Sequence, residues 1–352
     1  MYESFYGLSG KPFQLNPDPA FFFGSRGHKR AFAYLQYGLY QSEGFIVITG
    51  EIGAGKTTIV RSLLEQLDRD KVCAAQLVST QLDADDLLRA VGIAYGLPVR
   101  TVSKAVLLGS LEAFLCQLAT EKKRALLIVD EAQNLTPKAI EELRMLSNFQ
   151  VGDQALLQSF LVGQPELRVM MQRPQMQQLR QRVIASYHLG PLDRLETQAY
   201  VEHRLKHVGW TGDPQFAPEC FDVIHSLTGG IPRRVNTLCN RLLLAGYLAE
   251  RHRLEPADVD AIAGEIRDEL GSDALLSPPD ASTGEAEARA PGRRAASGPQ
   301  PGLADGADLQ MHFRKIEDRI DRLEKTVGAA VDLLHALLHP EKDAKSSVPV
   351  RQ

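Results

Sequence analysis

The chain has 352 residues, roughly twice the length of a typical domain, so its length alone predicts two or three folded units. Its 44% hydrophobic and 24% charged residues are typical of globular proteins and exclude the fibrous, wholly disordered and membrane-embedded classes. Forty basic residues nearly balance 44 acidic ones, and the resulting net charge of −4 does not favour a nucleic-acid-binding protein.

The start of the chain has neither the basic nor the apolar region of a secretory signal. No apolar run approaches the roughly 18 residues that a membrane-spanning helix needs. The four cysteines, Cys73, Cys116, Cys220 and Cys239, have no CxxC or metal-ligand spacing, and we expect core thiols in a reducing compartment. Together these features predict a cytoplasmic protein without a transmembrane segment, which could still be peripheral to the inner membrane.

Five short apolar runs alternate with helical patterns in the first part of the chain. They lie at 45–49, 73–79, 125–130, 157–163 and 185–189. Such alternation is typical of βαβ units, because parallel strands need a crossover helix between them. The sequence therefore predicts an α/β domain with a mainly parallel sheet over residues 1–192.

A glycine-rich segment follows the first predicted strand and precedes a helical pattern. The segment GEIGAGKT at 50–57 matches G-x-x-x-x-G-K-[ST], the loop that binds nucleotide phosphates. Glycines let successive backbone N–H groups point at phosphate oxygens, an approach that side chains would block. We expect Lys56 to reach the β- and γ-phosphates and Thr57 to bind Mg²⁺, whereas Thr58 also fits packing or capping in the first helical turn. The predicted nucleotide contacts in this segment are Gly50, Glu51, Ile52, Gly53, Ala54, Gly55, Lys56, Thr57 and Thr58.

An acidic pair ends the third predicted strand. In RALLIVDEAQ, a carboxylate at Asp130 can organise the water shell of a metal, and its neighbour Glu131 can orient or deprotonate an attacking water. We therefore assign Mg²⁺ to Thr57 and Asp130 and catalysis to Glu131 with Lys56. The alternative is a solvated turn between strand and helix. The Asn/Thr-Lys-x-Asp string with which GTPases read guanine is missing from the sequence, so ATP is the predicted nucleotide.

Helical patterns replace the strand signals after Asp193. They lie at 194–208, 216–227, 231–249 and 256–269, separated by glycine and proline. Pro232, just after Gly229 and Gly230, fits a helix that ends at glycine and another that begins with proline. The sequence therefore predicts a small helical domain over residues 193–270.

The last part of the chain changes composition twice. Residues 271–307 are rich in Gly, Pro, Ala and Ser and predict a disordered linker. From Leu309 to Leu337 apolar residues step by four and three, which predicts a coiled-coil helix over 308–339, followed by a disordered tail at 340–352. This helix either associates with itself or a partner, or lies as a single amphipathic helix on the body.

The motifs resemble those of the AAA+ ATPases of the general-secretion protein A (ExeA-like) family. The resemblance covers about residues 1–270 and rests on YGLSGKPFQLNPDPAFFFGSRGHKRAFAYLQYGL, GEIGAGKTT, IVDEAQNL, LVGQPEL, LRQRV and GGIPRRVN. These segments look most like the secretion ATPases encoded with exosortase/PEP-CTERM and exopolysaccharide loci. The resemblance implies a P-loop AAA+ sheet domain with a helical lid, ATP hydrolysis with Mg²⁺, homo-oligomers, and a secretion or polysaccharide-export partner at the inner membrane.

The resemblance also implies roles outside the two motifs. Gln164 in LVGQPEL takes the place of the polar sensor at the end of the fourth strand. LRQRV offers Arg180 and Arg182 as the arginine finger that reaches the γ-phosphate of a neighbouring subunit, with a surface helix pair as the alternative. Arg233, ahead of Arg234, takes the place of the second sensor at the start of a lid helix, with a surface arginine as the alternative.

The segment NPDPAFFF resembles the stretch of the family that packs beside adenine. Phe21, Phe22 and Phe23 are equally candidates for core anchors, and His28 fits either an approach to the base or ribose or a structural role. Two further functions share these motifs: a transposition ATPase that polymerises on DNA, and a nucleotide-gated scaffold with negligible turnover. The first would need a basic surface, which the charge balance does not favour, so nucleic acid is not an expected partner.

Overall fold

The computed structural model describes residues 1–41, 43–78, 81–99 and 103–270. All of these residues lie within one structural unit. The predicted linker at 271–307, the predicted coiled coil at 308–339 and the predicted tail at 340–352 lie outside the described residues.

A parallel sheet of five strands forms the centre of the α/β part, in the order Val72–Val78, Arg124–Asp130, Leu157–Gly163, Phe45–Gly50 and Val183–Leu189. In the described residues the strands are β1 (Phe45–Gly50), β2 (Val72–Val78), β3 (Arg124–Asp130), β4 (Gln150–Val151), β5 (Gln154–Ala155), β6 (Leu157–Gly163), β7 (Val183–Leu189), β8 (Gln215–Phe216) and β9 (Arg253–Leu254). The five predicted strands are confirmed to within two residues at each end. The α/β prediction is confirmed with them.

Helices cover both faces of this sheet and make up most of the described chain beyond β7. The helices of the described residues are α1 (Tyr2–Phe5), α2 (Arg26–Gln41), α3 (Lys56–Gln66), α4 (Ala84–Ala94), α5 (Lys104–Thr120), α6 (Pro137–Leu146), α7 (Pro165–Gln172), α8 (Gln177–Arg180), α9 (Arg194–His207), α10 (Pro218–Thr228), α11 (Pro232–Leu248) and α12 (Pro256–Leu270). Short 3₁₀ helices lie at Pro19–Phe21, Ala132–Asn134 and Pro174–Met176.

Strand β1 shows how the two faces of the sheet are filled. All six of its residues are buried, and successive side chains point to opposite faces. Phe45 and Val47 join the apolar cluster that includes residues of α4, α5 and α6, whereas Ile46 and Ile48 join the cluster that includes residues of α2 and α3. A strand covered on both faces reads as a continuous apolar run, which is why sequence alone locates it.

The helices α9 to α12, here called the lid helices, share a separate apolar core. Helix α9 begins with a capping box between Asp193 and Glu196, and α11 begins with Pro232 after two glycines in left-handed conformation. The four predicted helices are confirmed to within two residues at each end. The strand pair β8–β9 was not predicted, and it takes Phe216, which the sequence analysis had assigned to a helix.

The amino-terminal residues pack with the lid helices. Tyr2, Tyr6, Leu8 and Phe13 are buried in the same cluster as the apolar residues of α9 to α12. The division of the chain at residue 192 stays a prediction. What the packing adds is that the segment leading into the α/β part starts inside the core of the lid helices.

The sequence analysis expected core thiols at the four cysteines and no transmembrane segment. All four cysteines are free thiols; Cys220 and Cys239 are buried, whereas Cys73 and Cys116 are only half-buried. Burial raises the pKa of the Cys220 thiol to about 11, which keeps it protonated and unreactive near neutral pH. Among the helices that the structure describes, none has the length and apolar character to cross a membrane.

Candidate nucleotide-binding site

The loop between β1 and α3 depends on glycine for its path. Gly53 and Gly55 have φ angles of 83° and 98°, in the left-handed region that glycine adopts without strain. A Cβ atom on Gly53 would lie 2.3 Å from Cβ of Arg233, and one on Gly55 would lie 2.7 Å from Nε2 of His28. The loop is therefore a cradle that side chains on these glycines would fill.

Lys56, the first residue of α3, is only 6% exposed. Its Nζ donates hydrogen bonds to the carbonyl oxygens of Gly50 at 2.7 Å and Glu51 at 2.9 Å. Burial lowers the pKa of Lys56, and the negative charges of Glu131 and Asp130 oppose this shift. The ammonium group is thus held between the loop and the acidic pair, where a phosphate can bind.

Asp130, the last residue of β3, meets the loop through Thr57. Thr57 Oγ1 donates to Asp130 Oδ2 over 3.0 Å, and Asp130 is 4% exposed. Burial raises the pKa of Asp130, while the hydrogen bonds from Thr57 and from the backbone N–H of Glu131 oppose the shift. Two hard oxygen donors side by side are what Mg²⁺ prefers in protein sites.

The donor set fits Mg²⁺ bound with a nucleotide rather than a metal held by the protein alone. Among the described residues no group of three or more His, Cys, Asp or Glu side chains could hold a metal ion. Mg²⁺ commonly keeps waters and takes one or two protein ligands together with substrate phosphates. Thr57 and Asp130 are residues that would hold it here.

Glu131 follows in a left-handed backbone conformation with φ of 54°, which is uncommon outside glycine. Its Oε2 accepts hydrogen bonds from Gln133 Nε2 at 2.6 Å and from Gln164 Nε2 at 3.0 Å. Burial would raise the pKa of Glu131, but these two hydrogen bonds and the charge of Lys56 together lower it. The carboxylate therefore stays ionised at neutral pH, as an acceptor for a proton of water must.

Gln164 reaches this site because it directly follows β6. Strand β6 pairs with both β1 and β3, so the carboxyl ends of the three strands lie side by side. Gln164 stands at the end of the fourth strand of the sequence analysis and contacts Glu131, and its role as a sensor stays a prediction. Gln133 was missed by the sequence analysis, since a single glutamine in a short turn carries no recognisable signal.

A cleft of about 330 Å³ opens beside the loop. Its walls come from four parts of the chain: the phosphate loop and the start of α3 with Glu131, the segment 14–23, His28 of α2, and the lid helices. The lining residues are Gln14, Leu15, Asn16, Pro17, Asp18, Phe21, Phe22, Phe23, His28, Ile52, Gly53, Gly55, Lys56, Thr57, Thr58, Glu131, Tyr200, Arg204, Pro232, Arg233 and Asn236. Most of the predicted nucleotide contacts, Thr58 among them, thus lie on one cleft.

The segment 12–23, here called the amino-terminal strap, forms one side of the cleft. Phe21 and Phe23 pack against the core of the lid helices, and Phe22 packs against the core that α2 and α3 share with the sheet. Arg61 of α3 donates to the Pro17 carbonyl at 2.5 Å. The phenylalanines therefore anchor the strap and also line the cleft, and packing beside adenine stays a prediction.

Arg204 of α9 fastens the strap to the lid helices, and it too was missed from sequence. It is 6% exposed, and its guanidinium donates to the carbonyl oxygens of Pro12 at 2.6 Å and Gln14 at 3.3 Å. It also donates to Tyr200 Oη at 2.8 Å and lies 4.7 Å from the ring centre of Phe21. A charged side chain in a helical pattern predicts a solvated face, whereas here packing across the fold buries it.

His28 braces the phosphate loop from α2. Its Nδ1 lies 2.7 Å from Ser25 Oγ and its Nε2 lies 3.1 Å from the Ala54 carbonyl oxygen. Burial lowers the pKa of His28, and its hydrogen bond to Ala54 opposes the shift. These contacts support the structural interpretation of His28, although its ring also lines the cleft.

Arg233 joins the lid helices to the phosphate loop. Its backbone N–H donates to the Gly53 carbonyl oxygen at 3.2 Å, and its exposed side chain lines the cleft. It stands in the first turn of α11, where the resemblance places the second sensor.

Arg180 and Arg182 are not among the residues that line the cleft. Arg180 Nη1 donates to the carbonyl oxygens of Met171 at 2.6 Å and Arg173 at 2.9 Å, and Arg182 donates to Ser147 and Asn148. A finger acts on the nucleotide of a neighbouring subunit, so these positions leave that role a prediction.

The sequence of the chain is similar to sequences of known proteins. Residues 39–171 match a family model described as an AAA domain. Over 274 residues the chain is 40% identical to general secretion pathway protein A of Aeromonas hydrophila, an alignment that covers 76% of this chain and 50% of that protein. The chain thus spans about half the length of this curated relative.

Solved structures agree with the fold. The chain is similar to the ORC2 protein of Aeropyrum pernix in its ADP form, with 19% identity and a TM-score of 0.53 over 72% of this chain and 70% of that chain. It is also similar to the ORC1 protein of the same organism in complex with DNA, with 16% identity and a TM-score of 0.54 over 74% and 70% of the two chains. At this level of identity the likeness establishes the P-loop AAA fold alone.

Proposed function

This chain is a P-loop AAA protein related to general secretion pathway protein A, and from that premise we propose that it is a Mg²⁺-dependent ATPase. One observation carries the proposal: the Thr57–Asp130 hydrogen bond joins the phosphate loop to the acidic pair, and Glu131 lines the same cleft. The residue types that bind phosphate, metal and water therefore meet at one place.

Each group of residues has a separate role in the proposed hydrolysis. The backbone N–H groups of the loop and the start of α3 bind phosphate oxygens, and Lys56 exchanges its carbonyl partners for the β- and γ-phosphates. Thr57 and Asp130 would hold Mg²⁺, which would supply positive charge against the negative charge of the phosphates. Glu131 orients the attacking water and accepts its proton, and Gln164 holds one oxygen of that carboxylate.

The wider proposal is an oligomeric switch or motor. Arg180 or Arg182 of one subunit supplies the finger for its neighbour, a group that can contribute about 10³ to 10⁵ in rate. Because the Arg233 backbone holds Gly53 of the phosphate loop, a change in the loop reaches the lid helices directly. Two lid positions with different nucleotide affinity would then turn hydrolysis into movement.

We further propose that this movement serves a secretion or exopolysaccharide-export partner at the inner membrane, in an exosortase/PEP-CTERM system. Support comes from the name of the relative, which is a secretion pathway protein, and from the motifs quoted above. An exosortase or glycan-polymerisation gene beside this one would agree with the proposal. A transposase gene there would contradict it.

The ATPase proposal is tested by phosphate release from the purified full chain with Mg²⁺ and ATP. Glu131→Gln should lower turnover by about 10² to 10⁴ while ATP still binds, because only the proton acceptor is lost. Lys56→Ala should weaken ATP binding itself, with exposed Lys138→Ala as the matched control. Equal phosphate release by wild type and Glu131→Gln would contradict the catalytic assignment, and a rate per subunit that rises with protein concentration would support oligomeric action.

A further inference from the structure

Gln133 touches two predicted functional residues at once. Its Nε2 donates to Oε2 of Glu131 at 2.6 Å, and its Oε1 accepts from the backbone N–H of Gln164 at 3.0 Å. One side-chain amide therefore links the end of β3 to the end of β6.

A third hydrogen bond closes these contacts into a ring. Gln164 Nε2 donates to Glu131 Oε2 at 3.0 Å, the same oxygen that Gln133 binds. Moving any one of the three side chains breaks at least one hydrogen bond of the ring. Because an ionised carboxylate offers acceptor sites on both oxygens, fixing Oε2 leaves Oε1 to receive a proton from water.

The backbone around the ring leaves Gln133 little room to move. Gln133 lies in the 3₁₀ helix Ala132–Asn134, whose first residue is completely buried. A Cβ atom on Gly163 would lie 2.8 Å from Oε1 of Gln133 and 2.9 Å from a methyl group of Leu167. The absence of a side chain at Gly163 is thus what admits the Gln133 amide beside Gln164.

We propose that Gln133 is a positioning residue for ATP hydrolysis, which ties the Glu131 carboxylate to Gln164 so that the two act as one unit. The proposal rests on the ATPase function proposed above. Gln133 is not among the residues that line the cleft, so its effect on the reaction passes through Glu131 and Gln164 rather than through contact with ATP.

The first test is Gln133→Met, which keeps an unbranched side chain of similar length and removes the amide. The maximum rate of phosphate release should fall about 10- to 100-fold, since misplacing a reacting group by about 1 Å costs up to 10² in rate. The dissociation constant for ATP should change by less than about twofold, because phosphate and metal contacts are kept. A purely structural role of Gln133 would not separate rate from affinity in this way.

Gln117→Met is the matched control. Gln117 Nε2 also donates to a glutamate, Glu121 at 3.1 Å, but on the exposed surface of α5. Its rate and ATP affinity should equal those of the wild type. Gln133→Glu is a second variant for the case that Gln133→Met does not fold. It keeps the acceptor for the backbone N–H of Gln164, loses the donor to Glu131 and adds a second negative charge beside Glu131. Its rate of phosphate release should therefore also fall.

A double variant tests whether the two glutamines work as one unit. Gln164→Leu alone should lower the rate by a similar factor, because it removes the other donor to Glu131 Oε2. The double variant Gln133→Met/Gln164→Leu should then lose little more than the worse single variant, as groups that act together are strongly non-additive. Losses that multiply would show independent residues and would overturn the proposal.

The outcomes separate this inference from the function on which it rests. If wild type and Glu131→Gln release phosphate equally, the ATPase proposal fails. If Glu131→Gln abolishes turnover while Gln133→Met and Gln133→Glu keep the wild-type rate, the ATPase stands and the role of Gln133 is wrong. A rate above wild type in Gln133→Met would also overturn it, since the amide would then restrain Glu131 instead of positioning it.

Discussion

The two ends of the cleft are built in different ways. The phosphate end is made by two short motifs, residues 50–58 and the pair Asp130 and Glu131, each continuous in sequence and held by backbone geometry and hydrogen bonds. The opposite end is made by the strap and α9, which lie far apart in sequence and meet through aromatic packing around Arg204. Phosphate binding thus depends on local conformation, whereas the other wall depends on the assembled fold.

The largest effect in this comparison is expected on ATP affinity, when a methyl group is added to Gly53 at the phosphate end of the cleft. In Gly53→Ala the new Cβ would meet Cβ of Arg233 at 2.3 Å, and alanine would have to adopt a φ of 83°. Strain and overpacking of about 3 kcal/mol in total would push the loop or α11 out of place. We expect ATP affinity to fall about 100-fold, measured by titration calorimetry.

Gly152→Ala is the control for Gly53→Ala, because it introduces similar backbone strain without a steric contact. Gly152 has a φ of 64°, and a Cβ atom there would meet nothing within 4 Å. This variant should lose about 1 kcal/mol of stability and keep its ATP affinity. If Gly53→Ala also keeps its affinity, the phosphate end does not depend on the close approach between loop and lid helices.

The second-largest effect is expected at the opposite end of the cleft, first in the free energy of unfolding. Arg204→Met keeps much of the apolar stem but leaves the carbonyl oxygens of Pro12 and Gln14 without their buried donor. We expect a loss of about 2 to 3 kcal/mol in the free energy of unfolding, measured in urea. ATP affinity should fall as well, because the strap lines the cleft.

Arg241→Met is the matched control, since its partner Glu269 is more than half exposed. An exposed ion pair is worth about 0 to 1 kcal/mol, so this variant should stay near wild type. Equal losses in both variants would mean that Arg204 contributes no more than a surface arginine. The opposite end would then not depend on this packing.

This contrast explains what sequence reasoning could predict. The strands were found because continuous apolar runs indicate burial on both faces. The phosphate loop was found because its glycines, Lys56 and Thr57 all fall within the eight consecutive residues 50–57. Gln133 and Arg204 were missed for a physical reason: each acts through contacts with residues 31 and 192 positions away, respectively. The pair β8–β9 escaped prediction because two-residue strands show no periodicity.

The smallest effect concerns the core of the lid helices, where the chain leading into the strap begins. Tyr6 is 3% exposed and donates its hydroxyl to the Arg251 carbonyl oxygen at 3.0 Å. Burial, with the charge of Asp213, raises the pKa of Tyr6 from 10.0 to about 12. The folded state therefore favours the protonated phenol, so its contribution to stability is complete below pH 10 and is lost as the pH rises through 12.

Tyr6→Phe cannot ionise and should show a smaller fall in the free energy of unfolding between pH 10 and 12 than the wild type. Below pH 10 it should be less stable by about 1 kcal/mol, because the hydrogen bond to Arg251 is lost. Urea unfolding at a series of pH values measures both differences. Tyr2→Phe should behave in the same way, since burial raises the pKa of Tyr2 to about 12 as well. Parallel curves of unfolding free energy against pH for wild type and both variants would mean that these hydroxyl groups reach water in the folded protein. The amino-terminal residues would then be packed less tightly against the lid helices than the structure indicates.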